Sequence, residues 1–336
     1  MIVILKQNAK QEQIDKLIGK IKSEGFDIHY SSGSHEKILG IIGNTAKLNT
    51  DDILLNDAVS DVRRVSEPYK LANKKFHKED TVIKIGDAII GGNHFCTIAG
   101  PCSVENEEQI VNCAKAIKKS GAKLLRGGAF KPRSSPYAFR GLKAHGIELL
   151  KIAKQETGLP IVSELTSIEN LELFDDVDVI QVGARNMQNF DMLSELGKCK
   201  KPILLKRGLS STIEEWLMSA EYIMAGGNEN VILCERGIRT FETATRNTLD
   251  ISAVPVLKEL THLPIIVDPS HATGDSKYVY SMAKTTVVAG ANGVMIEVHP
   301  NPSEALCDGK QSITPEMFDK VMTDIKALLK LENKEL

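Results

Sequence analysis

From residue 94 to residue 299 the chain repeats one pattern eight times, a short apolar run followed by a helix-forming stretch. The runs are HFCTIAG, KLLRGG, PIVSEL, VDVIQVG, PILLKRG, VILCERG, PIIVDPSH and GVMIEVH. Continuous apolar runs of this kind, recurring roughly every 20 to 35 residues, read as strands of a parallel sheet buried on both faces. Between them lie EQIVNCAKAIKK, GIELLKIAKQ, IEEWLMSAEYIMA and SKYVYSMAKTTVVA, and ITPEMFDKVMTDIKALLK closes the series. Eight strand-then-helix units predict an α/β fold, a (β/α)8 TIM barrel. A doubly wound sheet would need an early GxGxxG phosphate turn, and the sequence has none.

Residues 1–66 read as a unit of their own. MIVILK is a strand, KQEQIDKLIGKIKSEG an amphipathic helix ended by Gly25, and FDIHYSS and KILGIIG two further strands. NTDDILLNDAV follows as a helix capped by Asn49, Thr50 or Asp51, and VRRVSE as a last strand. The order βαββαβ is that of a ferredoxin-like module. Residues 67–80, with the polar run YKLANKKFHKED, form a linker to a barrel domain over 81–332. Within that domain TVIKIG and AIIGG make a hairpin around Gly86 and Asp87, placed to plug the barrel's bottom.

Charge narrows the range of partners. Lys and Arg number 42 against 44 Asp and Glu, a formal net charge of −2. Bulk electrostatics therefore draws the chain to neither nucleic acid nor an anionic membrane, and any anion site must be local. No run approaches the about 18 apolar residues of a membrane span. The opening MIVILKQNAKQEQ lacks a charged leader and a cleavage site, and six cysteines are scattered without a CxxC pair. The expectation is a cytoplasmic protein with reduced thiols.

The catalytic face of such a barrel is built from the C-terminal ends of its strands. Those ends carry Cys102; Arg126 with Lys131 and Arg133; Glu164; Arg185; Lys206 and Arg207; Glu235 and Arg236; Asp268 and His271; and Glu297 and His299. One charged strand end is ordinarily a satisfied loop residue, whereas eight facing one mouth call for a ligand. Arg126, Lys131, Arg133, Arg185, Lys206 and Arg236 would repel one another at short range unless carboxylates or an anion offset them. Arginine forks suit carboxylates and phosphates, and backbone N–H groups around Gly127, Gly128, Gly183 and Ala184 could add donors. Cys102, His271, Glu297 and Asp308 are all metal-ligating residue types, although each alone also reads as an ordinary core or loop residue.

AGPCSVE at 99–105, LRGGAFKPRSSPYAF at 125–139, VGARN, LLKRG, CERG, IIVDPSHATG and EVHPNPSEALCDGKQS, in that order, resemble the 3-deoxy-D-arabino-heptulosonate 7-phosphate (DAHP) synthase family, in the branch with a ferredoxin-like N-terminal domain. The related 3-deoxy-D-manno-octulosonate 8-phosphate synthases usually show Lys-Ala-Asn-Arg-Ser where this chain has Lys131-Pro132-Arg133-Ser134. The difference points to erythrose 4-phosphate and away from arabinose 5-phosphate.

The resemblance implies condensation of phosphoenolpyruvate with D-erythrose 4-phosphate and water, giving DAHP and phosphate, the first step of the shikimate pathway to aromatic amino acids. It implies one divalent metal ion (Mn, Fe, Co or Zn) held by Cys102, His271, Glu297 and Asp308. Arg126, Lys131, Ala184, Arg185, Lys206 and Arg236 would hold phosphoenolpyruvate, and Arg133 and Ser134 the aldehyde's phosphate. Lys131 would be a general acid and Glu164, or a metal-bound water, would position or deprotonate the attacking water, with Cys102 and His271 acting through the metal. A homotetramer is implied too, as is feedback inhibition by tyrosine or phenylalanine at the N-terminal module, where His29 and Ser31 in IHYSSGS could supply contacts. Two other readings compete: a Schiff-base aldolase using Lys206, and a non-catalytic sugar-phosphate sensor.

Overall fold

The computed structural model describes residues 1–32, 37–43, 45, 48–64, 67–133 and 135–336. It divides into two compact units, Met1–Lys70 and Leu71–Leu336.

In the first unit β1 (Ile2–Leu5), β2 (Asp27–Ser32), β3 (Lys37–Ile42) and β4 (Val59–Arg63) form one sheet in the order β2-β3-β1-β4. All three pairings are antiparallel, the ferredoxin-like arrangement. Val3 and Leu5 on β1 alternate inward with Leu39 and Ile41 on β3, and the helix Gln11–Ser23 lays Ile14, Leu17 and Ile21 on them. The second helix is shorter than its sequence suggests, running Thr50–Leu54 from an Asn49 cap. The last strand accordingly starts at Val59, three residues before the expected VRRVSE; residues 65 and 66 of that run lie outside the described ones. Packing sets this register: Val59, only 3% exposed, pairs with Leu5 and completes the core, an apolar contact that the helix would otherwise have taken.

The second unit opens with the hairpin β5 (Ile83–Ile85) and β6 (Ala88–Ile90). Eight parallel strands follow: β7 (Cys96–Gly100), β8 (Leu124–Arg126), β9 (Ile161–Leu165), β10 (Val179–Val182), β11 (Ile203–Lys206), β12 (Val231–Glu235), β13 (Ile265–Val267) and β14 (Gly293–Glu297). They close into a barrel, β14 pairing with β7 from Gly293↔Cys96 to Glu297↔Gly100. Inside lie Ile98, Leu124, Val162, Val179, Leu204, Ile232, Cys234, Ile266 and Met295, against which the hairpin packs Ile83, Ile85, Ala88 and Ile90. The hairpin thus fills the end opposite the strands' C-termini. Residues 71–80, expected as linker, are fixed on the barrel: Glu221 accepts the N–H groups of Leu71 and Ala72, and Lys74 N–H donates to Leu260 O. Among the described residues no helix is long and apolar enough to cross a membrane.

Candidate active site

Strand alternation decides which charged residues reach the barrel's mouth. Side chains two positions apart share a face. Counting two residues on from the interior positions Leu124, Val162, Leu204, Cys234, Ile266 and Met295 gives Arg126, Glu164, Lys206, Arg236, Asp268 and Glu297. The neighbours Arg207 and Glu235 fall on the opposite parity and turn to the outer layer. There Arg207 Nη1 bridges Glu235 Oε2 at 2.9 Å and Asp250 Oδ2 at 2.8 Å, with the guanidinium 5.8 Å from the Trp216 ring. These two strand ends, read from sequence as facing the mouth, are a structural network instead.

Four expected metal-type donors do converge. One ligand atom from each of Cys102, His271, Glu297 and Asp308 lies within 4.8 Å of the others. Cys102 sits two residues beyond β7, close to β8, where Gly128 N–H donates to its carbonyl at 3.1 Å. A Cβ on Gly128 would come within 2.7 Å of that oxygen, so glycine permits the approach. His271 lies on the short helix Pro269–Thr273 after β13, whose N-cap Asp268 accepts from both its N–H and its Nδ1. Fixing Nδ1 leaves Nε2 to face Glu297 Oε1 at 3.3 Å. Glu297 ends β14, and Asp308 in the following loop points Oδ2 to within 3.2 Å of Cys102 Sγ.

The donors' electrostatics suit a cation. Burial pushes the His271 pKa down, favouring the neutral imidazole that ligates metals. Burial works against ionising Asp308, yet His271, Cys102, Arg246 and Lys131 bring its pKa to about 2. Glu297 is likewise held low despite burial, chiefly by His271, Arg126 and Lys131. Only Cys102 goes the other way, raised by its hydrogen bond to Cys307, by burial and by Glu297. Lys131 Nζ, 3.0 Å from Cys102 Sγ, does not overcome that, whereas a divalent ion at the same point would hold the thiolate. A thiol, an imidazole and two carboxylates together fit a borderline transition metal better than Mg or Ca.

Above the donors opens a cavity of about 510 Å³, and Lys131, Arg133, Glu164, Ala184, Arg185, Lys206 and Arg236 all line it together with His271 and Asp308. Lys206 is paired with Asp268. Arg236, 7% exposed, donates instead to the backbone carbonyls of Gly237 and His271 at 3.5 and 3.4 Å, and burial pushes its pKa down. A cation so desolvated, with no carboxylate in contact among the described residues, is poised for an anionic ligand. Arg126 sits deeper. It lies beneath the cavity, 4% exposed, with Nη1 on Glu297 Oε1 at 2.6 Å and Nη2 on Cys102 O at 3.5 Å. Being the last residue of an inward-facing row, it underpins the ligand cluster and does not line the cavity.

Ser134 lies outside the described residues. His29 and Ser31 are exposed on β2, opposite Gly40 and Ile38 of β3. Sequence reasoning missed Arg239, Arg246 and Asn247, which also line the cavity. They sit in the long segment RGIRTFETATRNT between β12 and the helix Ala253–Leu260, and cations in an extended strand-to-helix loop were the available signal.

Comparisons with known proteins agree with this geometry. The profile of the DAHP synthetase I family matches residues 70–331, and that of the DAHP synthase ferredoxin-like domain matches residues 1–67. The phospho-2-dehydro-3-deoxyheptonate aldolase of Thermotoga maritima is 48% identical over 98% of this chain and 97% of its own length. A 2-dehydro-3-deoxyphosphooctonate aldolase of Syntrophotalea carbinolica is 29% identical over 73% of this chain and 95% of its own. The crystal structure of the Thermotoga maritima DAHP synthase superposes with a TM-score of 0.96 at 46% identity, covering 99% of this chain and 98% of that one. A truncated form of the Thermotoga synthase gives 0.74 at 47% identity, covering 79% of this chain and 98% of its own. By its sequence along nearly the whole length, its barrel and its N-terminal module, this chain belongs to the DAHP synthetase I family, as a member with the ferredoxin-like domain.

Proposed function

We propose that the chain condenses phosphoenolpyruvate with D-erythrose 4-phosphate and water, releasing DAHP and phosphate, with one divalent metal ion held by Cys102, His271, Glu297 and Asp308. The observation that carries this reading is the four-donor cluster opening into a cavity lined with cations. Arg185, Lys206, Arg236 and the N–H of Ala184 hold the phosphate and carboxylate of phosphoenolpyruvate. Arg133, with Ser134, takes the phosphate of the aldehyde, and Arg126 keeps Glu297 oriented from below. Bound there, Mn, Fe, Co or Zn supplies Lewis acidity toward the aldehyde oxygen. Lys131 delivers the proton as the carbonyl is attacked. Glu164, hydrogen-bonded through Oε2 to Gln181 at 3.1 Å, orients and deprotonates the water that captures the second carbon of phosphoenolpyruvate. Holding two multiply charged substrates in register accounts for much of the acceleration.

The Schiff-base alternative asks Lys206 for a free amine, but its ammonium is tied to the buried Asp268. The octulosonate-type alternative is set against by Lys131-Pro132-Arg133-Ser134. Phosphate release, assayed with each aldehyde in turn, separates these readings. Turnover should require phosphoenolpyruvate and erythrose 4-phosphate, vanish with chelator and return with Mn. Turnover that ignores chelator, or prefers arabinose 5-phosphate, refutes the assignment.

The ferredoxin-like module serves feedback control by tyrosine or phenylalanine in a cytoplasmic homotetramer. Removing residues 1–70 should leave activity that no longer responds to either amino acid. Inhibition that survives the deletion overturns the regulatory role.

A further inference from the structure

One buried side chain beside the ligand cluster has no part in the proposed chemistry and is incompletely satisfied. Gln311 has no accessible surface. Its Nε2 donates to Glu297 Oε2 at 2.5 Å, while its Oε1, also buried, has no partner among the described residues. A buried amide with half of its capacity unmet is costly, and an apolar side chain of the same shape would fill the space without that penalty. The orientation is forced, because turning the amide over would set its oxygen against a carboxylate oxygen.

The surroundings make this contact rigid. Gln311 ends the short turn Gly309–Gln311 directly after Asp308, and its N–H returns to Asp308 O at 3.2 Å. Ile313 N–H then donates to Glu297 O at 2.9 Å, and His299 N–H to Ile313 O at 3.0 Å, lacing the segment along β14. One stretch of chain therefore supplies the donor Asp308 and grips the donor Glu297. The two oxygens of Glu297 are divided: Oε1 faces Arg126 Nη1 and His271 Nε2, and Oε2 faces Gln311.

We infer that Gln311 is a positioning residue that withholds Glu297 Oε2 from the metal, so that Glu297 ligates through Oε1 alone. This rests on the metal site proposed above. Its consequence is a coordination position left for substrate, which a carboxylate binding through both oxygens would fill.

The experiment uses the full-length chain, stripped of metal and titrated with Co²⁺, reading the visible ligand-field spectrum and the affinity against a chromogenic chelator. Wild-type protein should show a thiolate-to-cobalt charge-transfer band, and its absence would refute the metal site itself. In Gln311→Met that band should persist, while the ligand-field bands weaken and shift as Glu297 gains a second bond. Affinity should fall about 10- to 100-fold, the usual effect of losing a partner behind a ligand. The spectrum decides: an unshifted ligand-field envelope, whatever the affinity, overturns the inference while leaving the metal site intact. Should Gln311→Met not fold, Gln311→Asn withdraws the amide from Glu297 by one methylene and is read by the same criterion.

Discussion

Gly183→Ala tests the role of Glu164 without touching its carboxylate. The backbone at Gly183, φ −68° and ψ 158°, suits any residue, so alanine imposes no conformational strain. What it imposes is a collision, since a Cβ there would lie 2.0 Å from Glu164 Oε1 and 2.8 Å from Cδ. Carbon and oxygen need over 3 Å, so the carboxylate must retreat by at least about 1 Å and give up Gln181. Glu164 ends a flexible side chain at the cavity, so the fold should survive with little loss of stability. A general base contributes about 10² to 10⁴ in rate, so moving it should lower kcat by a similar factor, about 3–5 kcal/mol of barrier. KM for phosphoenolpyruvate should change little if Arg185 and Lys206 keep their places. Continuous assay of phosphate release at saturating substrates gives both constants. The check on mechanism is a double-mutant cycle. In a Glu164→Ala background the obstructed carboxylate is gone, so adding Gly183→Ala should cost almost nothing more. Additive losses would mean that the methyl acts through Ala184 and Arg185, and a wild-type kcat in Gly183→Ala would remove Glu164 from the chemistry.

Two further outcomes follow from burial away from the cavity. Arg207→Met leaves the wholly buried Glu235 without its cation and should destabilise the chain by about 3–5 kcal/mol in urea, with KM unchanged. Burial already raises the Glu235 pKa, so the folded state takes up its proton first; stability falls as pH rises, and the deficit should shrink on going from pH 8 toward pH 5. A deficit that grows on acidification contradicts this. Burial also pushes the thiols of Cys113 and Cys234 up to about 12, and that of Cys96 higher still. At pH 8 these three should resist an aromatic disulfide reagent until the protein is denatured, while the part-exposed Cys199 reacts. Native-state labelling of all of them at one rate would refute the packing.

The barrel was legible because its strands are buried on both faces, so each writes an uninterrupted apolar run. The N-terminal unit was less so. Its last strand is amphipathic, and VSDVR at 59–63 offers just two apolar positions, so a one-turn helix before it could not be told from a longer one. The four metal-type donors that converge were legible by residue type and motif order, yet the contacts behind them were not. Gln311 carries no charge and sits in a Gly-Lys-Gln-Ser loop, so nothing in composition sets it apart. Lys206 and Arg207 read alike as a pair of cations, and only the interior position of Leu204 gives the parity that separates them. Arg126 reads from sequence as one more strand-end cation, but its depth depends on the register of β14 beside β7, which places Glu297 level with Gly100 and within reach of the guanidinium.

The same register explains how so many cations share one mouth. Taken as a list, they are mutually repulsive; taken by their partners, they fall into two sets. One set is neutralised by carboxylates that have second tasks. Arg126 rests on Glu297, Lys206 on Asp268, and Arg246 Nη2 approaches Asp308 Oδ1 at 3.5 Å. Glu297 and Asp308 are proposed ligands, and Asp268 orients a third, His271. The proposed metal cluster and the cation cluster are therefore one interlocked array, in which Glu297 and Asp308 each face a positive side chain and the proposed ion, and Asp268 joins Lys206 to His271. The other set, Arg133, Arg185 and Arg236, has no carboxylate within ion-pair distance among the described residues. Their charge is left for the substrates, so phosphorylated ligands should lose affinity with rising ionic strength more steeply than the ion does, whose partners are buried and weakly screened.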